Sequence, residues 1–176
     1  MSILKVARMG HPVLRRQARP LDKSDIKSPI FQKLVDDMIE TMYEYHGVGL
    51  AAPQIHESLQ LFVAMLDDDP APESEAIAFI NPEITPVGAA TEEGWEGCLS
   101  IPDIRGMVPR HTEINIRALD RHGKTIDLTL RNFPARVAQH ETDHLNGVLF
   151  FDRMTTFETL TFMEEYSRYW TKGDDE

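Results

Sequence analysis

Residues 139–144 read Gln-His-Glu-Thr-Asp-His, so that His140 and His144 stand four positions apart. Residues four apart lie on one face of a helix, one turn apart, and two imidazoles can therefore point at one metal ion. Glu141 stands beside the first histidine, where its carboxylate can take a proton from a water bound to that metal. The pattern is typical of a metal-dependent hydrolase, although a surface helix with two solvated histidines could have the same sequence pattern.

Local signals predict that this stretch is a helix. Pro134 suits a first helical turn, where its missing N–H is no loss, and Gly147 suits the left-handed residue that ends a helix. Apolar side chains and the two histidines share one stripe, made of Phe133, Val137, His140, His144 and Leu145. We expect the helix to lie inside the protein.

A catalytic metal site generally has a third protein ligand and leaves one position open for water. The single cysteine, Cys98, lies in the segment Glu-Gly-Cys-Leu-Ser at 96–100, 42 residues before His140. A thiolate with two neutral imidazoles would complete such a site. The cysteine by itself fits a small buried apolar side chain equally well. A lone cysteine also excludes an internal disulfide and indicates a reducing compartment, which we expect to be the cytoplasm.

Composition limits the class of protein. The 176 residues, 41% hydrophobic and 27% charged, predict a single domain over 1–176 with a real core. The net charge of −11 argues against a general nucleic-acid binder and against binding to an anionic membrane. No apolar run approaches the length that spans a bilayer.

The elements that must position the candidate residues are clusters of strands and a few helices. Periodicity predicts a helix from Pro29 that ends at Gly47, strands over 59–66 and 76–84, a hairpin over 113–118 and 125–130, and a last helix from about 157 to 170, followed by a frayed tail at 173–176. Strands and helices do not alternate regularly. We therefore predict an α+β fold, with antiparallel sheets packed around the central helix that carries His-Glu-x-x-His, and with a C-terminal helix.

The segment 47–54 reads Gly-Val-Gly-Leu-Ala-Ala-Pro-Gln. Two glycines before a small apolar run indicate a tight turn and a close approach of the backbone to another group. The absence of a following Gly-Lys-Ser/Thr argues against a phosphate loop. By itself, an ordinary turn between a helix and a strand also explains the segment.

Three segments occur together: GVGLAAPQ at 47–54, EGCLS at 96–100 and QHETDHLNG at 139–147. In order and content they resemble the peptide deformylase family, whose members remove the formyl group from the N-terminal methionine of newly made bacterial-type polypeptides. Each segment alone is modest, but the combination is highly specific. The resemblance spans at least residues 47–153.

The resemblance implies that Cys98, His140 and His144 bind the metal, with Fe²⁺ as the usual ion. Zn²⁺, Ni²⁺ or Co²⁺ can substitute, and the ligand set by itself does not fix the ion. It also implies that Glu141 takes a proton from the metal water, which attacks the formyl carbon, and hands that proton to the departing amine.

The resemblance assigns further residues to the substrate. The Gln54 amide and the Leu99 backbone N–H would stabilise the developing oxyanion. Main-chain groups of Val48 and Gly49 would pair with the substrate backbone. A second set would form the methionine pocket and hold the far end of the substrate: Phe133, Arg136 and Val137 for the pocket, and Arg105 for the far end, although Arg105 fits a surface salt bridge nearly as well.

The expected partners are N-formyl-methionyl nascent peptides, with the protein a monomer or weak dimer. Some family members dock on the ribosome through a basic C-terminal helix. Here residues 157–176 contain six acidic residues and only Arg168 and Lys172 as basic ones, so we expect no contact with ribosomal RNA.

Two other functions remain open from the residues alone. A general metallopeptidase would complete its site with a third histidine or with a carboxylate, for which Asp152 is a candidate. The other hypothesis is a noncatalytic metal- or peptide-binding module, although a structural metal has no need of the base at Glu141.

Overall fold

The computed structural model describes residues 2–71 and 74–171. Three short 3-10 helical turns lie at Pro12–Arg15, Ala52–Ile55 and Phe150–Arg153. The helices are α1 (Lys23–Ile26), α2 (Pro29–Glu44), α3 (Asn132–Leu145) and α4 (Met163–Tyr169). The strands are β1 (Gly49–Ala51), β2 (Leu61–Met65), β3 (Ala76–Pro86), β4 (Thr91–Cys98), β5 (Ile101–His111), β6 (Glu113–Leu119), β7 (Thr125–Arg131) and β8 (Thr161–Phe162).

The strands form two antiparallel sheets. The five-stranded sheet has the order β1-β2-β3-β6-β7, and the three-stranded sheet has the order β4-β5-β8. Every pairing between these strands is antiparallel. The predicted α+β fold, with sheets around the helix that carries His-Glu-x-x-His and with a C-terminal helix, is confirmed.

The five-stranded sheet is covered on both faces, which explains the unbroken apolar run of β2. Successive side chains of a strand point to opposite faces. Leu61, Val63 and Met65 pack in one core cluster with the buried stripe of α2, and Phe62 and Ala64 pack in a second cluster with α3. The catalytic-looking helix is therefore fixed on one face of the sheet by apolar burial.

Helix α2 begins where the sequence predicts. The Ser28 hydroxyl accepts a hydrogen bond from the Phe31 N–H (3.2 Å), and Pro29 is the first helical residue. This cap satisfies a backbone donor that the first turn leaves free. Its buried stripe comprises Phe31, Val35, Met38 and Met42. Helix α2 thus supports the glycine-rich segment that follows it.

The long hairpin of β4 and β5 is absent from the sequence prediction. Its two strands pair from Thr91↔His111 to Gly97↔Arg105, and the register shifts between Gly97 and Cys98. Glycines and charged side chains interrupt the alternation that would have marked β4 as a strand. One of these charged side chains, Glu96, is buried and forms an ion pair with Arg110 of β5.

The prediction of one helix over 157–170 is wrong. Residues 157–160 form a turn, in which the Leu160 N–H donates to the Phe157 carbonyl (3.0 Å), and helix α4 begins only at Met163. Pairing of Thr161 and Phe162 with β5 holds the chain extended between them, so strand pairing overrides the helical spacing of the apolar residues. The tail at 173–176 lies outside the described residues. Within the described residues, no helix has the length and apolar character needed to cross a membrane.

Candidate active site

The structure brings the three predicted ligands together. Helix α3 places the rings of His140 and His144 5.0 Å apart, and β4 ends with Cys98 facing them. The Cys98 Sγ lies 3.3 Å from the His144 Nε2, and one ligand atom from each of the three residues lies within 4.8 Å of the others. The spacing of His140 and His144 on a helix and the single cysteine therefore converge on one point.

The donor set fits a bound transition-metal ion. Ligand atoms at bonds of about 2.0–2.3 Å in a tetrahedral site stand roughly 3.3–3.8 Å apart, close to the sulfur–nitrogen distance here. Glu141 is 4% exposed, and within residues 2–71 and 74–171 its buried Oε2 has no hydrogen-bond partner. A buried carboxylate oxygen without a donor is costly, and a water held beside the three ligands would supply that donor.

Burial sets the proton-binding properties of the site. Desolvation raises the pKa of Glu141 to about 7, against the opposing effect of the nearby His140. A carboxylate with a pKa near neutrality both accepts and returns a proton at physiological pH. Desolvation holds the pKa of His144 well below its usual value, which keeps its imidazole neutral, as a metal ligand must be.

Glu96 orients His140 and was not predicted. The His140 Nδ1 lies 2.9 Å from the Glu96 Oε2, which leaves the other ring nitrogen to face Cys98 and His144. Burial would raise the pKa of Glu96, but hydrogen bonds from His140 and Arg110 outweigh it and lower that pKa to about 2. The alternation of side chains along a strand could have identified Glu96, because Glu96 and Cys98 are two residues apart and share one face of β4.

A buried network of ion pairs ties this face of β4 to β5 and α3. Arg110 donates from Nε to Glu96 Oε1 (2.9 Å) and from Nη1 to Asp143 Oδ2 (2.6 Å). Arg153 donates to both oxygens of Asp143. Each charge is paired and hydrogen-bonded, which a buried charge requires. The network holds the hairpin against the helix and so fixes the distance between the thiol and the imidazoles.

Arg136 belongs to the same network. Its Nη1 donates to Glu96 Oε1 (2.9 Å) and to the Val108 carbonyl (2.7 Å), and it lines the cavity, as the expectation of a rim residue requires. A Cβ at Gly94 would lie 2.8 Å from the Arg136 Cζ. The glycine therefore leaves the space that the guanidinium occupies.

Gln54 points its amide at the group formed by Cys98, His140 and His144. Its Oε1 accepts from the Ala51 N–H (2.8 Å), which fixes the amide so that Nε2 lies 3.2 Å from the Ser100 Oγ and 3.6 Å from the Cys98 Sγ. Gln54 is 1% exposed, and Leu99, the residue after Cys98, lines the same cavity. A fixed N–H donor thus stands next to the three ligands.

Gly49 allows the backbone of β1 to pass close to the Glu141 side chain. A Cβ at Gly49 would lie 2.8 Å from the Glu141 Cδ, closer than real Cβ atoms approach. The Val48 carbonyl accepts from the Met65 N–H (2.9 Å), so that carbonyl is engaged within the sheet and, contrary to the expectation, is not free to pair with a substrate. Because backbone groups alternate along a strand, those of Gly49 turn to the free edge of β1.

We expect Gly49→Ala to displace Glu141 and to lower kcat by roughly 10–100-fold, because small misplacement of a catalytic group has this order of effect. It should also lower the melting temperature. The double variant Gly49→Ala, Glu141→Ala should have the melting temperature of the original chain, since the second change removes the atoms that the new Cβ would overlap. A melting temperature equally low in both variants would show that the clash is not with Glu141.

All substrate residues predicted from the sequence line one cavity of about 710 Å³ that also contains Cys98, His140 and Glu141. The set comprises Val48, Gly49, Arg105, Phe133, Arg136 and Val137. On α3, Val137 lies about one turn before His140 and Phe133 about two turns before it. Arg105 makes no salt bridge with the described residues; its Nε lies 3.0 Å from the Met163 Sδ instead.

Asp152, the carboxylate that a general metallopeptidase site would need, is engaged elsewhere. It forms an ion pair with Arg15 and accepts from the Leu149 N–H (2.8 Å). It is not part of the group formed by Cys98 and the two histidines. This placement disfavours Asp152 as a metal ligand.

The same contacts predict a pH dependence of stability. Burial works to raise the pKa of Asp152, but the bonds from Arg15 and Leu149 outweigh it and lower the pKa below its usual 3.8. The stabilisation is therefore present above pH 3.8 and is lost as the pH falls through the lower folded value. Urea unfolding should show Asp152→Asn less stable than the original chain at pH 7, with a difference that shrinks below about pH 4. A difference independent of pH would contradict this.

Comparison with known proteins agrees with the site. The family model described as polypeptide deformylase matches residues 3–159. The chain is 44% identical to peptide deformylase 2 of Nostoc sp. over 97% of both chains, and 41% identical to peptide deformylase 1 of Nitrosomonas europaea over 98% of this chain and 99% of that one. It is also similar to the Met-Ala-Ser-bound crystal structure of a class I type b peptide deformylase from Acinetobacter baumannii, with a TM-score of 0.81 and 38% identity over 88% of this chain and 100% of that one.

A match over most of the chain, together with identities of about 40%, shows common descent and not only a shared fold. The three segments that carried the resemblance lie in the matched residues and meet in one cavity. The chain belongs to the polypeptide deformylase family, whose activity is the metal-dependent removal of the formyl group from N-formyl-methionine.

Proposed function

We propose that this chain performs the reaction of its family with Cys98, His140 and His144 as metal ligands and Glu141 as the base and acid. The substrate is the formyl-methionyl end of a newly made polypeptide, and the products are formate and a free amine. The observation that carries the proposal is the convergence of one thiol and two imidazoles beside a buried carboxylate with no partner among the described residues.

The three ligands would hold one divalent ion, and we propose Fe²⁺, with Zn²⁺, Ni²⁺ or Co²⁺ able to replace it. When bound, the ion supplies Lewis acidity that lowers the pKa of a water and polarises the formyl oxygen. A thiolate ligand suits soft or borderline ions, which supports a transition metal over Mg²⁺ or Ca²⁺. The family is metal-dependent, and the cluster of Cys98 with two histidines supports this assignment of the ligands.

Glu141 moves the proton. Its Oε2 takes a proton from the attacking water and delivers it to the nitrogen of the departing amine. Burial supports this role, because a carboxylate with a pKa of about 7 is a stronger base than an exposed one and returns the proton readily. The backbone of Gly49 excludes solvent above the carboxylate and keeps it near the cluster.

Gln54 stabilises the developing charge. The Nε2 group donates toward the formyl oxygen as it becomes negative, with the Leu99 N–H as the second donor. The bond from Ala51 N–H to Gln54 Oε1 holds the amide in place before the substrate arrives. One such preorganised donor is worth about 3 kcal/mol of transition-state stabilisation.

The substrate adds to the free edge of β1. The outward backbone groups of Gly49 pair with the peptide, and the side chain of Val48 contributes to the wall. The methionine side chain enters the apolar end of the cavity between Phe133 and Val137, with Arg136 at its rim. The Met-Ala-Ser peptide bound to the relative from Acinetobacter baumannii supports a peptide in this groove.

A formate-release assay on three peptides tests the proposal. We expect hydrolysis of formyl-Met-Ala-Ser, almost none of acetyl-Met-Ala-Ser, and no cleavage of an internal peptide bond. A formyl carbon carries a hydrogen where an acetyl carbon carries a methyl group, and the backbone of Gly49 packs closely against Glu141 beside the three ligands. Cleavage of internal bonds would favour a general metallopeptidase, and metal binding without any turnover would favour a binding module.

If Fe²⁺ is the working ion, the activity of the protein should be sensitive to oxygen. A ferrous ion with a thiolate ligand is open to oxidation, whereas Ni²⁺ resists it, and the thiolate itself can be oxidised. We expect the Fe²⁺-loaded protein to lose activity in air several times faster than the Ni²⁺-loaded protein. Metal analysis after anaerobic purification should find mainly iron, and equal lifetimes in air would count against iron as the working ion.

We also propose that residues 1–176 form a single catalytic domain that works in the cytoplasm as a monomer or weak dimer. The family match to 3–159 supports the first statement and the reduced single cysteine supports the second. We propose no contact of the C-terminal helix with ribosomal RNA, and none with nucleic acid or membranes in general. In α4, Arg168 is already paired with Glu164 and Glu165, and the chain has a net charge of −11.

A further inference from the structure

Strand β8 brings the C-terminal segment to the mouth of the cavity. It pairs with β5 through Ile104↔Phe162 and Arg105↔Thr161, and helix α4 starts at the next residue, Met163. Met163 lines the same cavity as Cys98 and His140. Its neighbour Phe162 does not line the cavity and is 65% exposed. One side chain of this segment therefore faces the site and the adjacent one faces away.

The strand register gives the approximate distance between the β8 segment and the end of β4 that carries Cys98. Gly97, the residue before Cys98, pairs with Arg105, and β8 lies on the other side of β5. Two strand spacings amount to about 10 Å. An extended peptide advances about 3.3 Å per residue, so a substrate with its formyl group at the cluster reaches this distance at its third residue.

The segment also fixes Arg105. The Arg105 Nε lies 3.0 Å from the Met163 Sδ, and its Cζ lies 5.3 Å from the centre of the Tyr166 ring. Trp95 of β4 holds Tyr166 from behind, with ring centres 4.8 Å apart. A thioether and an aromatic ring leave the positive charge of Arg105 uncompensated, so it stays available to a carbonyl or carboxylate of the peptide.

We propose that Met163 is a specificity-determining residue that contacts the third residue of the substrate and seats Arg105 beside it. The inference rests on the proposed function, because it assigns a wall of the same groove. Met163 is 36% exposed, and an unbranched thioether adapts to side chains of different shape. It therefore favours a large apolar third residue over a small one or none.

The test compares formyl-Met-Ala-Phe with formyl-Met-Ala in Met163→Ala. We expect kcat/KM to fall roughly tenfold for the tripeptide, mainly through KM, because loss of a pocket contact of this size has that order of effect. The fall for the dipeptide should be several times smaller. Met163→Leu should restore most of the tripeptide activity, and Phe162→Ala, an apolar neighbour outside the cavity, should change neither substrate.

Calorimetric binding of the product Met-Ala-Phe gives a readout that needs no turnover. We expect its dissociation constant to rise about as much in Met163→Ala as KM does, with an unchanged melting temperature. Equal losses on the tripeptide and dipeptide, or unchanged binding of Met-Ala-Phe, would overturn the role of Met163. Failure of every variant and of the original chain to release formate would instead overturn the proposed function, while the binding result would still decide the inference.

Discussion

Replacing Glu141 with alanine should lower kcat by about 10²–10⁴-fold and leave the metal content unchanged, as expected for the loss of a general base and acid. Glu141 lies beside the cluster but is not one of the three converging groups, so its removal does not break a metal bond. The buried carboxylate is costly to desolvate, and its Oε2 depends on a water beside the three ligands for a donor. We therefore expect the melting temperature of Glu141→Ala to be equal to or higher than that of the original chain.

Thr142→Ala provides the matched control, because Thr142 lies in the same turn of α3 and its hydroxyl has no partner among the described residues. It should keep both metal and turnover. Assays of formate release with metal analysis on the same samples separate the two effects. An active Glu141→Ala variant would remove the base from the mechanism, and loss of metal from that variant would instead give Glu141 a role in binding the ion.

Cys98→Ala should lose both the metal and the activity. The thiolate is the only anionic member of the cluster, and two imidazoles alone bind a divalent ion far more weakly. Removal of the Cys98 sulfur also removes a contact of the Gln54 Nε2 group. After dialysis against a weak chelator, we expect well under one ion per chain and no measurable formate release.

The contrast with a structural cysteine is sharp. If Cys98 were only a small buried side chain, alanine would be an acceptable replacement and the protein would keep its ion and its turnover. Cys98→Ser provides an intermediate case, since a hydroxyl is a poorer ligand than a thiolate. We expect Cys98→Ser to recover part of the metal content when the ion is supplied in excess, but little of the activity.

Sequence reasoning found the parts of the site that depend on short-range spacing. His140 and His144 lie one turn apart on α3 and Glu141 directly follows His140, so the period of the helix alone places them together. Gln54 and Gly49 followed from the resemblance to a family, and the structure places both beside the cluster. The meeting of Cys98 with the histidines is a tertiary contact that no local period encodes.

The residues that were missed act through long-range charge pairing. In the sequence Glu96 is a polar residue between Trp95 and Gly97, and only the packing of β4 against β5 and α3 reveals that it faces Arg110 and His140. The error at 157–170 has a similar origin. Pairing of Thr161 with Arg105 in a distant strand overrides the local helical pattern, and it places Met163 at the groove.

X-ray absorption at the metal edge, on protein purified without oxygen, is the most direct test of the central claim. We expect one ion per chain, with one sulfur at about 2.3 Å and two nitrogen ligands at about 2.1 Å, and with the sulfur contribution lost in Cys98→Ala loaded with excess metal. A spectrum of the original chain without a sulfur ligand would contradict the convergence of Cys98, His140 and His144 on one ion.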